Sequence, residues 1–182
     1  KRTGRDGIGG ATFSSMLMGE KLENPPVQQG EPIIERKVSE VLIKARDEHL
    51  YSAITDCGAG GYSSSVGEMA EKLGALVELS NVKVKYEGLA PYEMWISETQ
   101  ERMVIAVPPK NIKRLLELCD EYDVEASDLG EFTGNKRLKV NYKGKALIDL
   151  SCEFLHEGVP TLELKASFAR SEKKKRKYSE PS

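Results

Sequence analysis

Two glycine-dense segments, GRDGIGG at residues 4–10 and CGAGG at residues 57–61, constrain this chain more than any other feature. Glycine reaches positive φ at little cost and lets a backbone or a ligand come close. The second segment follows YSAIT (51–55), which reads as a short buried strand, and precedes a helical pattern. Asp56 stands at the junction, so the order is strand, carboxylate, glycine turn, helix start. A helix start offers N–H groups and a partial positive charge to an anion. Mg²⁺ is commonly held by one or two carboxylates together with phosphate oxygens. Asp56 therefore has two readings, a Mg²⁺ ligand or a cap on the following turn or helix, and spacing alone divides them evenly.

The remaining pattern predicts an α+β domain, a mixed β-sheet layered with helices. Pro32 suits a first helical turn, and Ile33, Ile34, Val38, Val41, Leu42 and Ala45 then recur on one face. After the glycine turn, Ser65 and Glu68 have capping-box spacing. Val66, Met69, Ala70 and Leu73 continue that helix, with Gly74 as its stop. Residues 75–84 alternate loosely, as a strand does. A short helix is expected at residues 91–96 and a strand at residues 102–107. Pro108 and Pro109 open a further helix with Ile112, Leu115, Leu116 and Cys119 on its apolar face. Residues 124–126, 131–133, 137–142 and 146–150 read as short, mostly antiparallel strands, with a turn at residues 141–144. Met94 and Trp95 read as core.

Composition excludes several functions. With 182 residues the chain suits one domain, expected over residues 1–168. Basic and acidic residues number 27 and 29, so no overall charge draws the chain to nucleic acid or an anionic membrane. No apolar run approaches the ~18 residues of a spanning helix, and no secretory leader pattern is visible. The 3 cysteines are widely spaced, which argues for a reducing compartment and against a disulfide framework or zinc site. His49 and His156 are the only histidines, too few for a well-supplied Ser-His-Asp or Cys-His centre. Residues 169–182 are nearly all charged or small and read as a connector or disordered tail. The lysine-rich run at 173–177 also allows a nuclear-localisation reading, which nothing else in the chain supports. The chain starts at Lys1 without Met, as expected of a piece of a longer polypeptide.

Other polar groups leave alternatives open. Residues 4–10 match neither a Walker A loop nor a dinucleotide fingerprint, and a structural turn serves as well as a ligand loop. Asp6 is a ligand or a turn residue. The run SETQER (97–102) stands before an apolar strand, facing a ligand or only solvent. Gln28 and Gln29, before Gly30, have the same two readings.

Five segments occur in one order: GRDGIGGATF (4–13), VQQGEP (27–32), ITDCGAGG (54–61), GEMA (67–70) and SETQERM (97–103). Together they resemble phosphoribosylformylglycinamidine synthase, the synthetase of purine biosynthesis, over residues 4–160. The resemblance implies a fold like the C-terminal domain of aminoimidazole ribonucleotide synthetase. It implies a cytoplasmic ATP-dependent ligase that turns formylglycinamide ribonucleotide and glutamine-derived ammonia into formylglycinamidine ribonucleotide, with Mg²⁺ holding the phosphates. Carried over by position, Gln28, Glu98, Thr99 and Gln100 are substrate contacts, and Asp56 is the Mg²⁺ ligand. The implied partners are the rest of the synthetase chain, a glutaminase subunit or domain, and a small accessory subunit.

The chain also departs from that pattern. Thr99 replaces the commoner serine, and Gly9 stands where many members carry histidine. Neither His49 nor His156 occupies the family's catalytic-histidine motif, so no catalytic residue is assigned. The resemblance places that histidine, an ATP-contacting lysine and a whole second half elsewhere, so the chain alone is expected not to turn over. Two rival readings stand beside it, in addition to a nucleic-acid binder working through the basic tail. One is another member of the superfamily, such as aminoimidazole ribonucleotide synthetase, against which SETQER argues. The other is a non-catalytic assembly module, which Mg²⁺-nucleotide and substrate would leave unaffected.

Overall fold

The structure, a computed structural model, describes residues 1–9 and 30–167. Gln28, the stretch around Pro25 and Pro26, and the charged tail lie outside these residues. Among the described residues, helices α1 (Pro32–Asp47), α2 (Tyr62–Ala70), α3 (Pro91–Ile96), α4 (Ile112–Glu121) and α5 (Cys152–Glu157) accompany six strands. The strands are β1 (Ala53–Asp56), β2 (Ala75–Glu78), β3 (Met103–Ala106), β4 (Gly130–Phe132), β5 (Arg137–Tyr142) and β6 (Lys145–Ser151). This is the expected α+β layering, but in two sheets rather than one. β1 pairs antiparallel with β3, while the other sheet runs β4-β2-β5-β6. The β2–β5 pairing is parallel and its neighbours are antiparallel, so that sheet is the mixed one.

Two apolar clusters hold these layers. The larger joins α2 and α3 to the four-stranded sheet through residues such as Val66, Ala70, Trp95, Leu138 and Val140. Met94 and Trp95 are buried in it, as their position in the pattern predicts. The smaller joins α1 to α4 through Val41, Ala45, Leu115 and Leu118, and Ile105 and Val107 of the β3 region pack against it. The tight β5–β6 turn has Lys143 at φ 49° and Gly144 at φ 75°. Positive φ at both central residues gives the twist that two antiparallel strands need.

Several expected details differ, each for a local reason. β1 is largely exposed rather than buried, and it has a single strand partner, β3. α2 begins at Tyr62, ahead of the expected Ser65–Glu68 box. The Ser63 and Ser65 hydroxyls donate to the carbonyls of Gly60 (2.6 Å) and Gly61 (3.0 Å), so neither serine caps an N–H. β2 stops at Glu78, where a 3-10 turn, Leu79–Asn81, takes over. Residues 124–126 form no strand. On α4 it is Leu118 that is buried and Leu116 that is exposed, at 0% and 43% of their surface.

This topology assembles one end of the molecule. The β1–β3 register pairs Asp56 with Met103, so the end of β1 lies beside the start of β3. The glycine turn and α2 follow from one, and residues 97–102 lead into the other.

Candidate functional site

Three stretches distant in sequence meet at that end: residues 3–7, the turn at residues 57–61, and the loop at residues 97–102. Thr3 runs parallel to Val84, with its N–H on Lys83 O at 2.8 Å and its carbonyl accepting from Lys85 N–H at 2.9 Å. The chain then turns through a 3-10 segment, Arg5–Gly7. Gly4 and Gly7 touch the 97–102 loop. Gly4 N–H donates to Thr99 Oγ1 at 3.2 Å, and Ser97 Oγ donates to Gly4 O at 2.8 Å. Glu98 N–H donates to Gly7 O at 2.6 Å. A Cβ on Gly7 would lie 2.1 Å from Thr99 N, which only glycine avoids. Residues 4–7 are thus a close-packed seam against the loop.

Asp56 is exposed at the strand end and curls over the glycine turn. A Cβ on Gly58 would stand 2.6 Å from Asp56 Oδ1, so a glycine leaves this space to the carboxylate. Gly60 and Gly61 have φ of 77° and 56°, and they swing the chain into α2. The Gly60 N–H donates to Glu98 Oε1 at 2.9 Å. The acceptor at this helix start is therefore the protein's own Glu98, which is only 3% exposed. Thr99 is equally buried and its hydroxyl is engaged by Gly4. Gln100 is half-buried at the loop's outer end. Asp6, left open between two roles, is ion-paired to Lys85 Nζ at 2.6 Å.

The donor set bears on Mg²⁺. The ion prefers six oxygens and keeps several waters, taking one or two carboxylates beside phosphate. Among the described residues no three His, Cys, Asp or Glu side chains cluster closely enough to hold a metal unaided. The exposed Asp56 carboxylate fits as one protein ligand, with a phosphate-bearing molecule supplying further oxygens. A cavity of about 570 Å³ is lined by Arg2 and residues 80–84 and 126–128. None of the expected site residues lines it.

Ion pairs at the seam and elsewhere in the fold are acid-sensitive. Arg5 Nε donates to Glu93 Oε1 at 2.7 Å, and this guanidinium holds the Glu93 carboxyl below its ordinary value. Arg137 does the same to Asp149, and Arg114 to Glu48. A carboxyl with a lowered folded pKa stabilises the fold above its unfolded value, and the gain disappears as pH falls through the folded value. The melting temperature should accordingly be flat near neutrality and fall below about pH 4.5. A melting temperature that rises on acidification would contradict these pairings. Burial pushes the Cys57 thiol up, so beside Asp56 it is a neutral packing group rather than a nucleophile.

A residue the sequence reading passed over organises the loop. Arg102 donates from Nε to Thr99 O (2.7 Å), from Nη1 to Thr3 Oγ1 (3.0 Å) and from Nη2 to Ser97 O. In sequence it looked like the polar mouth of β3. The available signal was a lone arginine between a hydroxyl-rich run and an apolar strand.

A glycine seam, a strand-end carboxylate and a buried polar loop meet around one helix start in this α+β domain. The chain belongs to the family described as AIR synthase related protein, C-terminal domain, whose sequence profile matches residues 2–143. It is 36% identical over 182 residues to phosphoribosylformylglycinamidine synthase subunit PurL of Macrococcus caseolyticus, covering 98% of this chain and 25% of that protein. The fold matches Thermotoga maritima PurL complexed with FGAR at a TM-score of 0.83 and 30% identity, over 96% of this chain and 30% of that one. The same protein complexed with ATP matches at a TM-score of 0.68 and 28% identity, over 80% and 27%. The chain spans 21% to 25% of the length of such curated relatives. No helix among the described residues is long and apolar enough to cross a membrane.

Proposed function

We propose that this chain is a substrate- and Mg²⁺-binding domain of a cytoplasmic phosphoribosylformylglycinamidine synthase. The reaction is the ATP-dependent conversion of formylglycinamide ribonucleotide and glutamine-derived ammonia to formylglycinamidine ribonucleotide. The observation that carries this reading is the meeting of Asp56, the glycine turn and residues 98–100 at the start of α2. The family membership and the likeness to a relative solved with FGAR support it.

In this reading ATP phosphorylates the substrate amide oxygen, ammonia displaces the phosphate, and ADP leaves. Bound Mg²⁺ would neutralise phosphate charge, with Asp56 as its ligand from this domain. Glu98 and Gln100 orient the substrate, and Gln28 adds a contact from outside the described residues. Thr99 keeps that loop against Gly4. The domain supplies one wall of the site and no catalytic acid or base. The rest of the synthetase chain completes the site, and a glutaminase subunit or domain with a small accessory subunit delivers ammonia.

The test is a titration of the chain with formylglycinamide ribonucleotide, with and without Mg²⁺, read by melting temperature. Ligand at ~100 times its dissociation constant adds about 2.7 kcal/mol of stability. Asp56→Asn should abolish the Mg²⁺-dependent part while leaving the unliganded melting temperature unchanged. No ATP turnover is expected from the chain alone. A wild-type chain indifferent to the ribonucleotide, or an Asp56→Asn chain with an intact Mg²⁺ response, defeats the proposal.

A further inference from the structure

We infer that Arg102 is a positioning residue that locks the substrate-facing loop onto the glycine turn. The inference rests on the substrate-site reading just given. Arg102 is only 7% exposed, and among the described residues it forms no ion pair. A buried charge of this kind needs a full set of hydrogen-bond partners. Its guanidinium finds them in two carbonyls of one loop, Ser97 and Thr99, and in the Thr3 hydroxyl of another segment. Its flat face lies 4.7 Å from the centre of the Tyr62 ring, at the first residue of α2. Its own carbonyl accepts the Cys57 N–H at 3.0 Å, next to Asp56.

The side chain therefore ties the 97–102 loop to Thr3 and to the first residue of α2, while the backbone carbonyl of the same residue holds the start of the glycine turn. The two carbonyls flank Glu98, so Arg102 grips the loop on either side of the carboxylate that meets the Gly60 N–H. Such a fork suits arginine. Its planar donors reach several acceptors in fixed directions, whereas a lysine ammonium is a single flexible point. The grip fixes where Glu98 and Gln100 stand relative to Asp56 without Arg102 touching the ligand.

The experiment compares Arg102→Lys, Arg102→Met and Thr3→Val in the 182-residue chain. Thr3→Val removes only the Nη1 acceptor and keeps the shape, so it serves if Arg102→Met does not fold. Amide hydrogen exchange is followed at Gly60 and Glu98, and at Leu118 in the separate α1–α4 cluster. Formylglycinamide ribonucleotide affinity is measured by calorimetry. Faster exchange at Gly60 and Glu98, by about tenfold in Arg102→Met with Leu118 unchanged, supports the inference. A parallel loss of affinity of about tenfold or more, smaller in Thr3→Val and Arg102→Lys, supports it further. Equal acceleration at all three amides means general destabilisation and overturns it, as does wild-type exchange at Gly60 and Glu98. If the wild-type chain binds no ribonucleotide, the proposed function falls, while the exchange pattern still decides the role of Arg102.

Discussion

Gly61→Val should be among the most damaging single changes in this chain, lowering stability by ~3 kcal/mol or more and erasing any response to the ribonucleotide. Two independent costs combine at this position. Gly61 has φ 56° and ψ −130°, a region that side-chain-bearing residues avoid, and a forced occupant loses about 1–3 kcal/mol. A Cβ there would also stand 2.0 Å from the Ser97 carbonyl oxygen and 2.8 Å from its carbon. Both atoms are backbone, so no rotamer change relieves the clash. The start of α2 must move away from the 97–102 loop, and the Gly60–Glu98 hydrogen bond stretches with it. At roughly 2–4 °C per kcal/mol for a domain of this size, the melting temperature should drop by about 6–12 °C. Gly67→Ala, a few residues further on, is the control. It lies within α2 with nothing inside 4 Å of the added Cβ, and alanine there should stabilise by about 0.5–1 kcal/mol. Opposite signs from two glycines of one segment would separate the turn's geometry from glycine content. Gly61→Val melting with the wild type would refute the account of the turn.

That contrast also marks what the sequence could reveal. Glycine density and the strand–Asp56–turn order were readable because they are local. So were α3, opened by Pro91, and β5, whose alternation buries Leu138 and Val140. The start of α2 was misread because serine hydroxyls cap N–H groups in one geometry and bond back to carbonyls in another, with the same residue types in both. The contact that makes Gly61 obligatory, with the Ser97 carbonyl, joins segments far apart in the chain. No spacing rule encodes it. The same holds for Gly4 and Gly7 against Thr99 and Glu98. The ordered motifs singled out residues 98–100, yet they did not foretell that Thr99 spends its hydroxyl on Gly4 or that Glu98 occupies the helix start itself. Arg102 escaped notice because a polar residue at a strand mouth is ordinarily solvated, and its burial depends on acceptors supplied by Thr3 and Ser97.

Leu118→Ala and Leu116→Ala should differ sharply, although both leucines lie on α4 and either could be taken for core. The apolar stripe was placed on Ile112, Leu115, Leu116 and Cys119. In the fold, Leu115, Leu118, Cys119 and Tyr122 line the α1–α4 cluster, which is i, i+3, i+4, i+7 spacing shifted around the helix. Leu118 is 0% exposed and touches a layer that cannot collapse without moving α1, so truncation leaves a cavity. Its cost should be about 3 kcal/mol, a fall in melting temperature of roughly 6–12 °C. Leu116, 43% exposed, should change stability by no more than about 0.5 kcal/mol. The same cluster supports Ile105 of β3 and Val107 just beyond it. β3 begins directly after Arg102, so this layer is the floor beneath the loop rather than part of it. Leu118→Ala should lower the melting temperature while the Gly60 N–H keeps its protection relative to global unfolding. If Leu116→Ala proves the more damaging of the two, α4 is rotated from the orientation described, and its support of β3 fails with it.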